Sequence, residues 1–135
     1  MHVKLCDFGW STHTIDERRT TFCGTVDYVA PELVYSEPYD ERVDLWAIGI
    51  LTFELLVGHA PFTGSNENAT YSNITNLDLQ QKNAEDSVQF SDLSAEARNF
   101  VTSILQTDPT KRLSLMQMRT HPWLAPVYNP QKQTD

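Results

Sequence analysis

Between Asp40 and Gly58 the sequence places apolar side chains at Leu45, Trp46, Ile48, Ile50, Leu51, Phe53, Leu55 and Leu56. At helical spacing these positions run round the whole circumference instead of forming a stripe, which is the pattern of a helix buried at a domain's centre. Asp40 predicts the N-cap, Glu41 a first-turn carboxylate favoured by the helix dipole, and Gly58 the stop. The run is interrupted by Asp44, Gly49 and Glu54 and is too short to span a bilayer. Whatever this chain folds into must therefore wrap its other segments around one central rod. Asp44 is the odd residue in it. An ionised carboxylate in a buried helix needs hydrogen-bond donors, whereas in a solvated first turn it needs only the dipole.

The bulk numbers set the scale. A chain of 135 residues with 40% hydrophobic side chains is one domain's worth with enough material for a core. Eighteen acidic against ten basic residues give a net charge of -8, which argues against nucleic acid or an anionic membrane as partner of this segment. Met1 to Leu5 holds no apolar run of signal-peptide length, so an intracellular location is expected, and the triplets Asn68-Ala69-Thr70 and Asn73-Ile74-Thr75 then carry no glycan meaning. Cys6 and Cys23 lack metal-ligand spacing and read as reduced thiols, Cys23 lying near Arg18 and Arg19 in a setting that lowers a thiol's pKa.

The stretch from Asp7 to Glu32 is where chemistry is concentrated. Val3 and Leu5 alternate with polar neighbours, which predicts a short strand delivering Asp7 to the mouth of a site. Asp7 is a hard oxygen donor suited to magnesium held against phosphate, Phe8 supplies an apolar plug, and Gly9 allows a sharp turn just after it. From Gly9 to Ala30 little is periodic, and a span of that length inside a compact domain is usually a functional loop. Arg18, Arg19, Thr20 and Thr21 put hydroxyls beside fixed positive charge, so a phosphate added there would recruit guanidinium groups and order the loop. Pro31 then fixes the chain before an apolar helix.

Asp7-Phe8-Gly9, a hydroxyl-bearing loop and Ala30-Pro31-Glu32, in that order, form the second half of the protein-kinase signature set. Asp7 to Ser11, Arg18 to Thr21, Cys23-Gly24-Thr25 and Asp27-Tyr28 resemble the activation segment of the Aurora kinases. The likeness continues through Asp44-Leu45-Trp46 with Gly49, Gly58 to Phe62 and His121-Pro122-Trp123, and so covers nearly the whole chain. It implies a mainly α fold, the carboxy-terminal lobe of a protein kinase with at most a short β-strand before Asp7. A partial kinase domain is expected over residues 1–124, made of an activation segment 7–32, a central helix at about 40–57 and further helices to about 123, followed by a polar tail 125–135.

The resemblance also implies an activity: transfer of the ATP γ-phosphoryl group to a protein serine or threonine, with ATP and Mg²⁺ as cofactors. Asp7 would hold the metal, Gly24 and Thr25 would belong to the substrate loop with Thr25 near the substrate hydroxyl, and Thr21, with Thr20 second, would be the activating phosphosite. Phe8, Gly9, Glu32, Asp44 and Arg112 take structural roles. Asp44 would accept hydrogen bonds from catalytic-loop backbone, and Arg112, in Asp108-Pro109-Thr110-Lys111-Arg112, would pair with Glu32. Implied partners are protein substrates with basic residues before Ser or Thr and an activator protein docking on the amino-terminal lobe, at the nucleus, spindle or centrosome.

The sequence contains no glycine-rich phosphate loop, no Val-Ala-Ile-Lys-like strand and no His-Arg-Asp. The catalytic base falls on no residue here, and the chain by itself is expected to be inactive, a fragment of an active kinase. The alternative is a non-catalytic, kinase-derived interaction or decoy module. Without a covering helix, the central rod is expected to leave an apolar face bare and Asp44 unpaired.

Downstream, Ala69 to Leu79 predicts one short helix and Gln80 to Gln89 a polar loop departing from the Aurora pattern. Ser94 predicts the cap of a helix with Ala97, Val101, Ile104 and Leu105 on one face, and Ser114 with Gln117 a capping box opening a last helix before Pro122.

Overall fold

The computed structural model describes residues 3–9, 11, 25–79 and 88–126. Among the described residues five α-helices follow one another, α1 (Pro31–Val34), α2 (Arg42–Val57), α3 (Glu67–Asn76), α4 (Ala95–Ile104) and α5 (Leu115–Arg119), with 3-10 turns at Val26–Tyr28, Phe90–Asp92 and Pro109–Lys111. The architecture is mainly α, as the sequence leads one to expect, and no β-strand occurs among the described residues. The short strand expected before Asp7 is thus corrected: Val3 and Leu5 are both exposed, and an alternating segment with no ladder partner gains neither hydrogen bonds nor burial from being a strand.

α2 is the rod on which the rest is hung. Its capping lies one residue away from the simple expectation. The helix starts at Arg42, and Asp40 serves the first turn from outside by accepting the Arg42 backbone N–H at 2.9 Å and its guanidinium at 2.6 Å. At the other end Gly58 adopts φ 93° and returns its N–H to Glu54 O, a left-handed stop that a side chain would strain.

One half of α2 faces the core. Trp46, Ile50, Phe53 and Val57 pack with Val29, Ala30, Phe62, Ile74, Val101 and Leu105. Trp46 stacks on Phe62 with ring centroids 5.6 Å apart. Gly49 makes room for the end of α4, since a Cβ there would come within 2.7 Å of Leu105 and 2.8 Å of Ile104. The other half is not buried. Leu55 is 77% exposed and Leu51 is exposed too, and Ile48, Thr52, Leu55 and Leu56 line an open groove of about 540 Å³ with Phe100 and Trp123. Burial on every face, read from the all-round apolar pattern, is corrected to burial on one half: on the other, Leu45 and Ile48 are only partly covered, by Phe100, Ile104 and Met118, and the expected bare apolar face is present at Leu51 and Leu55.

The remaining helices start and stop for local reasons. α3 begins two residues before the expected Ala69 because Asn66 caps it, its Oδ1 accepting Ala69 N–H at 2.9 Å. It ends on Leu77 at φ 53°, with Leu77 N–H bonded to Ile74 O and Asp78 N–H to Asn73 O, a Schellman stop with leucine where glycine is usual. Ser94 caps α4 through Ala97 N–H, and Ala97, Phe100, Val101 and Ile104 are its buried face. Ser114 and Gln117 form the expected capping box on α5. Beyond it His121 accepts Trp123 N–H on Nδ1, which leaves Nε2 to donate to Asn99 Oδ1 at 3.0 Å. Most of the polar stretch 80–89 and the tail beyond 126 lie outside the described residues.

Candidate functional site

The site is built where the end of the Asp7 to Glu32 segment meets α2. Ala30 is extended and Pro31 opens α1 at a position where its missing N–H costs nothing. The same turn buries Glu32. Its carboxylate is met by Arg112 from the far end of the chain, with Nη1 donating to Oε1 at 2.7 Å and Nη2 to Oε2 at 2.6 Å. Their side chains are 0% and 5% exposed, Arg112 and Glu32 respectively.

Arg112 is satisfied further by Nε to Gln106 O at 2.9 Å and Nη1 to Arg42 O at 2.9 Å. Its guanidinium lies over Trp46, with Cζ 5.2 Å from the ring centroid, a cation–π placement. A buried charge pair is tolerable only when its remaining donors are bonded in this way. One guanidinium therefore joins α1, the start of α2 and the loop after α4.

Upstream of α1, the 3-10 turn Val26–Tyr28 carries Thr25 at its N-cap. Two adjacent side chains hold this turn. The Tyr28 hydroxyl donates to Glu54 Oε2 on α2, and Asp27 Oδ1 accepts the Thr63 hydroxyl at 2.8 Å. Burial and the Glu54 carboxylate beside it push the Tyr28 phenol up to about 12, because both oppose a second negative charge there. Thr25, Tyr28, Val29, Leu33, Val43 and Asp44 line a cleft of about 180 Å³ between the turn and α2.

Asp44 is an exposed first-turn residue that opens onto this cleft, so the solvated alternative describes it in this chain. Asp7 is also exposed. The bend beside it is not made as expected: φ is 64° at Asp7 and not positive at Gly9, and Ser11 closes the turn by donating its N–H and its hydroxyl to Phe8 O. Aspartate tolerates that left-handed conformation better than most side chains. Phe8 is 64% exposed and belongs to neither buried apolar cluster of the described residues.

The structure thus brings Glu32 to Arg112, sets Thr25 and Asp44 on the lining of one cleft, and leaves Asp7, Phe8 and Gly9 in an exposed turn. Thr20, Thr21, Gly24, Arg18, Arg19 and Cys23 lie outside the described residues. Cys6 is a free, exposed thiol. No cluster of three or more metal-ligating side chains occurs among the described residues. Magnesium held mainly by phosphate and water asks for only one or two carboxylates, and Asp7, open to solvent, fits as one such donor. No helix among the described residues is long and apolar enough to cross a membrane.

A family model described as "Protein kinase domain" matches residues 1–124. The chain belongs to the protein kinase family. Among curated proteins it is similar to Aurora kinase C of Mus musculus, 44% identical over 122 residues, which are 90% of this chain and 41% of that protein. It is similar also to Aurora kinase of Schizosaccharomyces pombe, at 45% over 123 residues, 90% of this chain and 32% of that one. Aurora kinase B of Danio rerio is 42% identical over 123 residues, again 90% of this chain and 36% of its own length. The kinase chain described here therefore spans about a third to two-fifths of these relatives.

Two contacts of the candidate site escape a reading of the sequence, Tyr28 with Glu54 and Asp27 with Thr63. A signal existed for the first. Glu54 is a lone carboxylate in an otherwise apolar half of α2, and a charge placed there asks for a donor. Asp27 and Thr63 are ordinary polar loop residues 36 positions apart, and nothing in their spacing pairs them.

Proposed function

We propose that this chain is the activation-segment and helical portion of an Aurora-like serine/threonine protein kinase, which transfers the γ-phosphoryl group of ATP to protein serine or threonine. Residues 1–124 are then its share of the kinase domain and 125–135 a tail. The observation that supports the reading best is the buried two-toothed pair of Glu32 and Arg112. It ties the Ala30-Pro31-Glu32 end of the segment to the helical body, and so anchors the carboxyl side of the turn that carries Thr25.

In this reading Asp7 is a magnesium donor, and the metal, when bound, neutralises charge building on the phosphates. Gly24 and Thr25 belong to the substrate loop, with Thr25 near the acceptor hydroxyl. Asp44 offers its free carboxylate to backbone N–H groups of a catalytic loop, and Thr21, with Thr20 second, takes the activating phosphate, which would draw on Arg18 and Arg19. The reading extends to substrates with basic residues before the acceptor, to a protein activator, and to a nuclear or spindle location in dividing cells.

The acceptor is the discriminating readout. The full natural polypeptide carrying this sequence, given Mg-ATP, is expected to phosphorylate a peptide with arginines ahead of a serine and to leave its tyrosine counterpart unmodified. Equal or greater labelling of the tyrosine peptide would refute the serine/threonine assignment.

A further inference from the structure

Thr63 is held more firmly than an exposed loop residue has reason to be. On its amino side Phe62 is fully buried and stacked on Trp46, and its carbonyl accepts Asn73 Nδ2 at 3.0 Å. On its carboxyl side Gly64 N–H donates to the hydroxyl of buried Thr70 at 2.8 Å. Both flanking backbone positions are pinned, so the Thr63 hydroxyl is presented from a rigid platform to Asp27 Oδ1 at 2.8 Å.

Asp27 is the middle residue of the turn that carries Thr25. Its neighbour Tyr28 is tied to Glu54 on α2 and Val29 and Ala30 just after it are buried in the core, which anchors the carboxyl side of the turn and leaves its amino end, where exposed Thr25 sits, freer to move. A second tether, from the next residue to a different element, removes that freedom. Because the Thr63 to Asp27 bond is exposed, its loss exchanges one partner for water and leaves no buried group stranded. Loss of the bond then alters where the turn points far more than whether the protein folds.

We propose that Thr63 is a positioning residue for the substrate-facing turn, acting through Asp27. The proposal rests on the kinase reading of Thr25. Acting through Asp27 on the turn that carries Thr25, Thr63 affects use of the protein substrate and not of ATP.

The test compares wild type, Thr63→Val and Thr63→Ser in the full natural polypeptide, with an arginine-containing serine peptide and Mg-ATP. Valine keeps the shape and removes the hydroxyl, while serine keeps the hydroxyl. The expected result is a rise of about twofold to tenfold in KM for the peptide in Thr63→Val, the worth of one net hydrogen bond. KM for ATP should stay unchanged, and Thr63→Ser should restore the wild-type value. An unchanged peptide KM in Thr63→Val, or an equal defect in Thr63→Ser, overturns the proposal.

Hydrogen exchange of the backbone over residues 26–29 separates this from the functional reading. If the wild type transfers no phosphate, the proposed phosphotransfer activity falls. Faster exchange in Thr63→Val, reversed in Thr63→Ser, still supports the tether, and identical exchange in all three forms overturns it.

Discussion

Arg112 closes on Glu32 across 80 positions of sequence, two parallel N–H to oxygen bonds of 2.7 and 2.6 Å inside a site where neither side chain is open to water. The pair is what locks the end of the long loop to the helices, and its burial decides its energetic character. Removing one partner leaves the other charge buried and unpaired, so Glu32→Ala should destabilise the fold by about 3–5 kcal/mol. Arg112→Lys should also be costly, because an ammonium cannot supply the forked geometry or the contacts to Gln106 and Arg42 carbonyls. Urea unfolding measures both. A loss under about 1 kcal/mol would mean that the pair behaves as a surface contact.

Tyr28 gives a spectroscopic handle on the turn. Its folded pKa lies at about 12 against an ordinary 10.0. A group whose pKa is raised by folding stabilises the native state while protonated. That contribution is fully present below pH 10 and is lost as pH rises from 10 through 12. Absorbance of tyrosinate should therefore show a late-ionising phenol besides Tyr71, whose pKa is also raised by its hydrogen bond to Glu67, and Tyr28→Phe should remove it. If Tyr28→Phe leaves the titration unchanged, the Tyr28 to Glu54 bond is not populated in solution.

The Schellman stop of α3 holds a correctable strain. Leu77 sits at φ 53°, a left-handed conformation that costs a side chain roughly 1–2 kcal/mol and glycine almost nothing. At 36% exposure the leucine returns some of that through its remaining contacts. Leu77→Gly should stabilise the protein by up to about 1 kcal/mol, seen as a higher thermal midpoint. A lower midpoint would mean that Leu77 packs more than its exposure suggests.

The two halves of α2 should answer mutation in opposite ways. Phe53 is buried between His59 and Phe90, and Phe53→Ala should cost about 3–5 kcal/mol. Leu55, 77% exposed on the groove, should accept Leu55→Glu with a change within about 0.5 kcal/mol. In the 135-residue chain the same substitution should reduce self-association and dye binding to exposed apolar surface. Unchanged association would place the sticky surface elsewhere.

These contrasts show how far the sequence could be read. The caps at Ser94, Ser114 and Gly58 were legible because they depend on a few neighbouring atoms, and so was the mainly helical architecture. Glu32 and Arg112 could be paired only through the likeness to kinases, since no local rule joins residues so far apart. The half-exposed character of α2 was hidden because the apolar pattern records what a helix is built to bury, not which covering is present. The strand before Asp7 failed for a related reason: alternation supplies a face, but a strand also needs a neighbour.

Asp7 carries the most demanding assignment, a lone exposed carboxylate read as a magnesium donor. The direct measurement is phosphate transfer from Mg-ATP to an arginine-containing serine peptide, by the full natural polypeptide and by its Asp7→Asn form at equal folded concentration. The account predicts robust transfer by the first and background transfer by the second. Equal rates in the two forms would contradict it.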